Sequence, residues 1–391
     1  MENRHVVVTE RSWFSRLGSS FGMVGFGFLM FAGGVILLGW NEKRTVDTSR
    51  GLAEGASQVV SVAEGEPLSN YEGQLIHVSG FADAEDGPLQ DAQFGVQAKA
   101  LRLNRQVEMF QWEEKSKTTT RTKIGGGEER VTEYTYDKTW SRTLINSSRF
   151  NRTTYQNPSS FPVEASKLNA QDVRMGELRL AANFVDQLRP FEGFALEEAA
   201  DLANLPQGFR REGNGFYLGA SPTQPQIGDV RVNFEVVRPG DFSVIGRLNQ
   251  STLETYVASN NHPIAMVSPG IESAELMFAG ARSANTAMAW GLRAAGFALL
   301  MIGCGMIFGP LGVLADVLPF LGSLVRMGTG LLSFLIAVPT GLITIAVCWV
   351  AVRPILGISL LVVAVLVPVA LLVTRKKSPT PASPVPQSTE A

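Results

Sequence analysis

Residues 290–309 read WGLRAAGFALLMIGCGMIFG, residues 329–351 read TGLLSFLIAVPTGLITIAVCWVA, and residues 355–373 read ILGISLLVVAVLVPVALLV. Each run approaches the roughly 20 apolar residues an α-helix needs to cross a hydrocarbon core. A fourth run, Ser19–Trp40, lies near the N-terminus, so residues 41–289 are held to the bilayer at both ends. These stretches decide the fold class: an α+β membrane protein with four transmembrane helices, one N-terminal and three C-terminal. The expected order is a cytoplasmic lead at 1–18, a span at 19–40 and an extracytoplasmic domain at 41–289. A span at 290–309, an interfacial amphipathic helix at 310–328, spans at 329–351 and 355–373, and a disordered tail at 374–391 follow.

Hydrophobic residues make up 45% of the chain, an ordinary share, but they fall in blocks. The formal charge of −2 is also an average over unlike parts. Residues 41–289 hold 32 acidic and 25 basic residues, net −7, which leaves the flanks positive. Nothing there suggests a nucleic-acid surface. Both cysteines, Cys304 and Cys348, lie inside apolar runs, so the hydrophilic segment folds without disulfides. Ser19–Trp40 has basic residues before it but no small-x-small cleavage site after it, and reads as an uncleaved anchor. Arg4, Arg11 and Arg16 precede the first span, and Arg375, Lys376 and Lys377 follow the last. Basic flanks stay cytoplasmic, which places both termini there and the domain in a periplasm or lumen.

Within the spans, small residues mark candidate packing faces: Gly22 and Gly25 in the first, Gly291 and Ala295 in the second, Ser333, Ala337 and Gly341 in the third. Between the second and third spans, Asp316 and Arg326 are the only charges and Pro319 sits midway. That composition predicts a kinked helix lying in the cytoplasmic interface. In the domain, alternating apolar residues predict strands at Gln74–Phe81, Leu101–Met109 and Val230–Val236. Gly125–Gly127 between two polar strand patterns predicts a long hairpin, and Asn214-Gly215 a second. Leu178, Ala181, Val185 and Leu188 have helical spacing and predict an amphipathic helix. Thr48–Val62 extends the first span beyond the bilayer, and Glu272–Ala289 forms a helical stalk into the second. The domain is therefore expected to be dominated by antiparallel sheet.

No catalytic constellation emerges. His5, His77 and His262 are scattered, and there is no H-E-x-x-H, G-x-S-x-G, P-loop or cysteine–histidine metal spacing. Gly125–Gly127 lies between strands rather than before a helix, so it reads as a turn and not a phosphate cradle. Arg293, Arg326 and Arg353 all lie near span ends, where they can snorkel, so no mid-membrane charge marks an ion path. No cofactor, metal or catalytic residue is expected.

Particular strings carry a resemblance. Asn41-Glu42, Leu52-Ala53-Glu54-Gly55, Glu72-Gly73-Gln74-Leu75-Ile76-His77-Val78, Val107-Glu108-Met109-Phe110-Gln111-Trp112, Leu144-Ile145-Asn146-Ser147, Asn157-Pro158, Gly228-Asp229-Val230-Arg231-Val232, Trp290-Gly291-Leu292-Arg293-Ala294-Ala295-Gly296 and Arg353-Pro354 occur in one order. Together they resemble the transmembrane protein 43 (LUMA) family from about residue 38 to 373. The resemblance implies four spans, a large luminal or periplasmic domain, self-association and no established enzymatic activity. In eukaryotic members it implies the endoplasmic reticulum and inner nuclear membrane, with emerin and lamins as partners. The compact chain suits a bacterial relative, for which the inner membrane and a periplasmic domain are expected and the nuclear partners do not apply. The expectation is thus a non-enzymatic membrane organiser that contacts lipid, copies of itself and a protein partner. The alternatives are a pore component with the domain as vestibule and, third, a membrane-tethered hydrolase.

Overall fold

The computed structural model describes residues 4–63, 66–196 and 205–352, with four further helical positions at Ile358, Ser359, Val362 and Leu366. The expected span at 355–373 otherwise falls outside the described residues, as does the tail at 374–391. Among the described residues three helices are long and apolar enough to cross a membrane. They are α1 (Trp13–Gln58), α2 (Ala274–Ala315) and α3 (Pro319–Val352). The chain divides into two compact units. One comprises Met1–Arg11, Asp47–Thr122 and Glu128–Asn285; the other comprises Ser12–Val46, Lys123–Gly127 and Thr286–Ala391.

The first unit holds the sheets. Its strands are β1 (Arg4–Arg11), β2 (Val60–Ser61), β3 (Leu75–Ala84), β4 (Arg102–Thr122), β5 (Glu128–Ser141), β6 (Val173–Met175) and β7 (Leu178–Leu180). They continue with β8 (Phe209–Glu212), β9 (Gly215–Leu218), β10 (Val230–Val237), β11 (Gly240–Asn249), β12 (Thr252–Glu254) and β13 (Met266–Pro269). An eight-stranded sheet runs β1-β5-β4-β10-β9-β8, with short strands Ser166–Asn169 beside β4 and Glu192–Gly193 beside β10. Val107 opposes Val232 and Met109 opposes Val230, so alternate residues share one face with Phe94, Phe216 and Phe234 in a core. In the second sheet β11 pairs with both β12 and β3, and β12, β7, β6 and β3 complete a ring of five strands. Ile76, Val173, Leu180, Phe184 and Val244 are wholly buried or nearly so within it.

The start of α2 and the end of α1 pack in this same unit. Leu52, Ile264, Met277 and Phe278 form a third cluster, and a Cβ at Gly55 would lie 2.5 Å from Ile264 and 3.1 Å from Phe278. Glycine at 55 is what lets the helix backbone approach. The extension of α1 past the apolar run is thus fixed by tertiary burial, which outweighs weak intrinsic helicity.

Three expectations differ from what is observed. Residues 4–11 are not a simple lead: β1 runs antiparallel along β5, from Arg4 opposite Thr135 to Arg11 opposite Glu128. Residues 310–328 are not a separate interfacial helix. α2 continues through Pro310 to Ala315, and α3 already begins at Pro319. The break falls at Asp316-Val317-Leu318, because the residue before a proline avoids the helical region while proline itself suits the first helical position. Finally, the helix expected around Leu178–Leu188 shrinks to Ala182–Val185, since Leu178–Leu180 pairs with β6 as a strand.

Candidate functional site

The second unit packs α1 against α2 through glycines. A Cβ at Gly27 would stand 2.9 Å from the Gly303 carbonyl oxygen, and one at Gly34 would stand 3.0 Å from that of Gly296. Lipid tails are as apolar as the helices, so this contact is stabilised by close backbone approach rather than by water exclusion. Leu38, Leu300 and Ala337 are fully buried beside it. On α3, Ser333 and Ala337 are buried, and a Cβ at Gly341 would strike the Phe297 ring at 2.2 Å. The structure thus sets the expected seam of the third span inside the bundle. Gly22, Gly25 and Gly291 stand elsewhere: nothing described lies within 4 Å of a Cβ at any of them, and Ala295 is exposed.

Two charged layers close the two ends of this bundle. In one, the Glu42 carboxylate, 1% exposed, accepts Arg293 Nε at 2.6 Å, Arg293 Nη2 at 2.8 Å and Trp349 Nε1 at 2.5 Å. The Arg293 guanidinium lies 4.9 Å over the Trp290 ring, and Asn41 Nδ2 donates to the Ala289 carbonyl. One carboxylate therefore ties all three described spans. In the other layer Asp316, fully buried, accepts Arg16 Nη2 at 2.5 Å and Arg326 Nη1 at 2.6 and 2.7 Å. Trp13 Nε1 donates to the Val313 carbonyl at 2.8 Å. Arg16 and Glu42 are 26 residues apart on α1, about 39 Å at the helical rise. That matches a bilayer with its headgroup regions, about 40–45 Å. Charges at both ends and apolar side chains between them are the arrangement a membrane-spanning bundle requires.

Of the residues expected in an interfacial helix, Asp316 and Arg326 meet directly, while Pro319 begins α3. Sequence reasoning did not identify Arg16, Glu42, Trp13 or the glycines at 27, 34, 296 and 303 as partners. A signal existed for one pair, since Glu42 and Arg293 are opposite charges at adjoining span ends.

The sheet unit holds buried titratable groups of its own. His77, 7% exposed, has its Nε2 2.9 Å from the Glu272 carbonyl oxygen and its Nδ1 3.2 Å from Ser61 Oγ. A carbonyl only accepts, so Nε2 carries the proton and Nδ1 accepts from Ser61. Burial pushes the imidazole pKa down, against the Glu272 carbonyl, which pulls it up. Among the described residues no carboxylate is bonded to the ring, and the contact ties β2 and β3 to the residues leading into α2. Glu54 accepts the Ser259 side chain and amide and the Tyr256 hydroxyl, and the Ser259 side chain is the chief reason its pKa is lowered. Tyr136, buried and bonded to Glu114, is pushed up to about 12. Each of these groups serves packing. Among the described residues no cluster of three or more His, Cys, Asp or Glu has the arrangement of a metal site. Cys304 and Cys348 are unpaired thiols.

Comparison with known proteins adds the family. The model of a family described as Transmembrane protein 43 matches residues 109–354. Transmembrane protein 43 of Mus musculus is 31% identical over 386 residues, covering 95% of each chain. The Homo sapiens protein of that name is 31% identical over 390 residues, covering 96% of each. Transmembrane protein 43 homolog of Drosophila melanogaster is 29% identical over 346 residues, 86% of this chain and 90% of its own. No solved structure matches. With a matched region that takes in the long hairpin and both layer residues Arg293 and Asp316, and relatives aligned over nearly their whole length, this chain belongs to the Transmembrane protein 43 family.

Proposed function

We propose that this protein is a non-enzymatic organiser of its membrane, associating with copies of itself and presenting the β-rich unit to a protein partner. The observation that carries this reading is the open glycine face. Gly18, Gly22 and Gly25 share one side of α1, and Gly305 and Gly309 lie on α2; none meets a described neighbour within 4 Å of a Cβ. Glycines at such spacing allow another helix to approach closely. Phe28, Leu29 and Ile36 are exposed on α1, and Leu331, Phe334 and Leu335 on α3, which suits contact with lipid. In a bacterium the setting is the inner membrane, with the bulk of the 41–289 domain in the periplasm. In a nucleated cell it is the endoplasmic reticulum and inner nuclear membrane, with emerin and lamins as the partners the family suggests.

Two other readings are weaker. A pore is disfavoured because the bundle's charged side chains gather in the end layers instead of lining its mid-depth. A hydrolase is disfavoured because both His77 nitrogens are already engaged. Chemical cross-linking in native membranes, followed by sizing in detergent, tests the leading reading. Discrete multimers that weaken in Gly22→Leu and Gly25→Leu are expected. A chain that remains monomeric at every concentration contradicts it.

A further inference from the structure

The turn between β4 and β5 is grouped with the helices and not with the sheet its strands belong to. Lys123 N donates to the Gly127 carbonyl at 2.7 Å and closes the turn. Gly125 N donates to the Val317 carbonyl at 3.1 Å, and Arg16 Nη1 donates to the Gly126 carbonyl. The turn therefore touches both the start of α1 and the residues that join α2 to α3.

We propose that Lys123–Gly127 is a latch, which docks on the Asp316 layer and locks the start of α1 to the α2–α3 junction on one side of the membrane. One carboxylate faces two guanidinium groups there, and a buried charge must find further acceptors. The Gly126 carbonyl supplies one to Arg16, whose side chain is only 8% exposed. Position 126 requires glycine for two independent reasons. Its φ is +78°, and a Cβ would lie 2.3 Å from Cδ1 of Trp13. Gly125 has φ +88°. Trp13 is in turn fixed by its bond to Val313, so the ring forms a seat rather than a mobile cover. The strands that lead to the turn carry Lys115, Lys117, Arg121, Glu128, Glu129 and Glu133, too polar for lipid, so their path runs through water or protein. The latch calls for the turn to lie on the side of residue 16, whereas the sequence reading places residue 16 and the 310–328 segment opposite the whole of 41–289.

The sidedness rests on reading α1 and α2 as spans, and the test separates the two claims. Single cysteines replace Ile124, Ser15 or Lys43, all exposed, in the full chain with Cys304→Ala and Cys348→Ala. Sealed vesicles of known orientation are treated with a membrane-impermeant maleimide. Ile124→Cys and Ser15→Cys should label from one side and Lys43→Cys from the other. Labelling of Ile124→Cys with Lys43→Cys, and from the side opposite Ser15→Cys, overturns the latch. Labelling of all three from one side overturns the spanning reading instead, and the latch is then decided by a second readout. Gly126→Val should speed labelling at Val317→Cys several-fold, and Trp13→Ala added to it should restore part of the protection. An unchanged rate in Gly126→Val, in protein that elutes and melts normally, rejects the docked turn.

Discussion

Glu42 shows how much one side chain can hold. It lies between Arg293 and Trp349, nearly sealed from solvent, and it is the shared acceptor of both. Removing one member of a buried pair strands the other, at a cost of about 3–5 kcal/mol. Glu42→Ala should therefore destabilise the detergent-solubilised protein by about that amount in thermal melts, and Glu42→Gln by less. His77 supplies a pH dependence with a definite sign. Its folded pKa lies below the ordinary imidazole value of about 6.5 because burial disfavours the cation. Its contribution is thus complete above that value and declines as pH falls below it toward the folded pKa, because the unfolded chain takes up the proton first. His262 is lowered by burial too and adds in the same direction. Melting temperature should fall between pH 7.5 and 5.5, and His77→Gln should flatten that slope.

At the scale of elements, the glycines of α1 divide into two sets with opposite expected behaviour. Gly27→Leu drives a side chain into the Gly303 backbone and should destabilise the bundle by about 1–3 kcal/mol. Gly22→Leu meets open space, so it should leave the melting point unchanged while it weakens self-association. Sequence alone could count these glycines but could not sort them, because every helical face of Ser19–Trp40 carries small or apolar residues. Three of the four expected spans fall on long apolar helices, legible because length and apolarity suffice, while the fourth lies outside the described residues. Strand β10 and the stretch of β4 from Arg105 to Gln111 were legible for a different reason: one face is the more deeply buried, so their residues alternate. β1 was missed because neither of its faces is packed, and Val6 and Val8 remain exposed despite their place in a ladder. Leu178–Leu180 misled because three residues are too few to show a period, and their spacing to Val185 and Leu188 also fits a helix. Pro319 marked the α2–α3 region as irregular, yet only the fold shows that helix persists through Pro310 and restarts at Pro319.

For the whole molecule, the account rests on three long apolar helices closed at each end by a buried carboxylate bound to arginine. The buried polar groups Glu42, Asp316 and His77 each hold elements together. The contacts of the glycine turn were not legible in the sequence, because its composition says only that it turns and nothing about what it meets. The depth of α2 in the bilayer is the most direct test. Nitroxide labels at Trp290, Ile302 and Leu311, whose side chains are 64%, 46% and 49% exposed, can be read by oxygen and nickel accessibility in reconstituted vesicles. The account predicts that Ile302 lies deep in the hydrocarbon while Trp290 and Leu311, about 32 Å apart along the helix, both lie near the headgroups. Three labels of equal and shallow depth would contradict it.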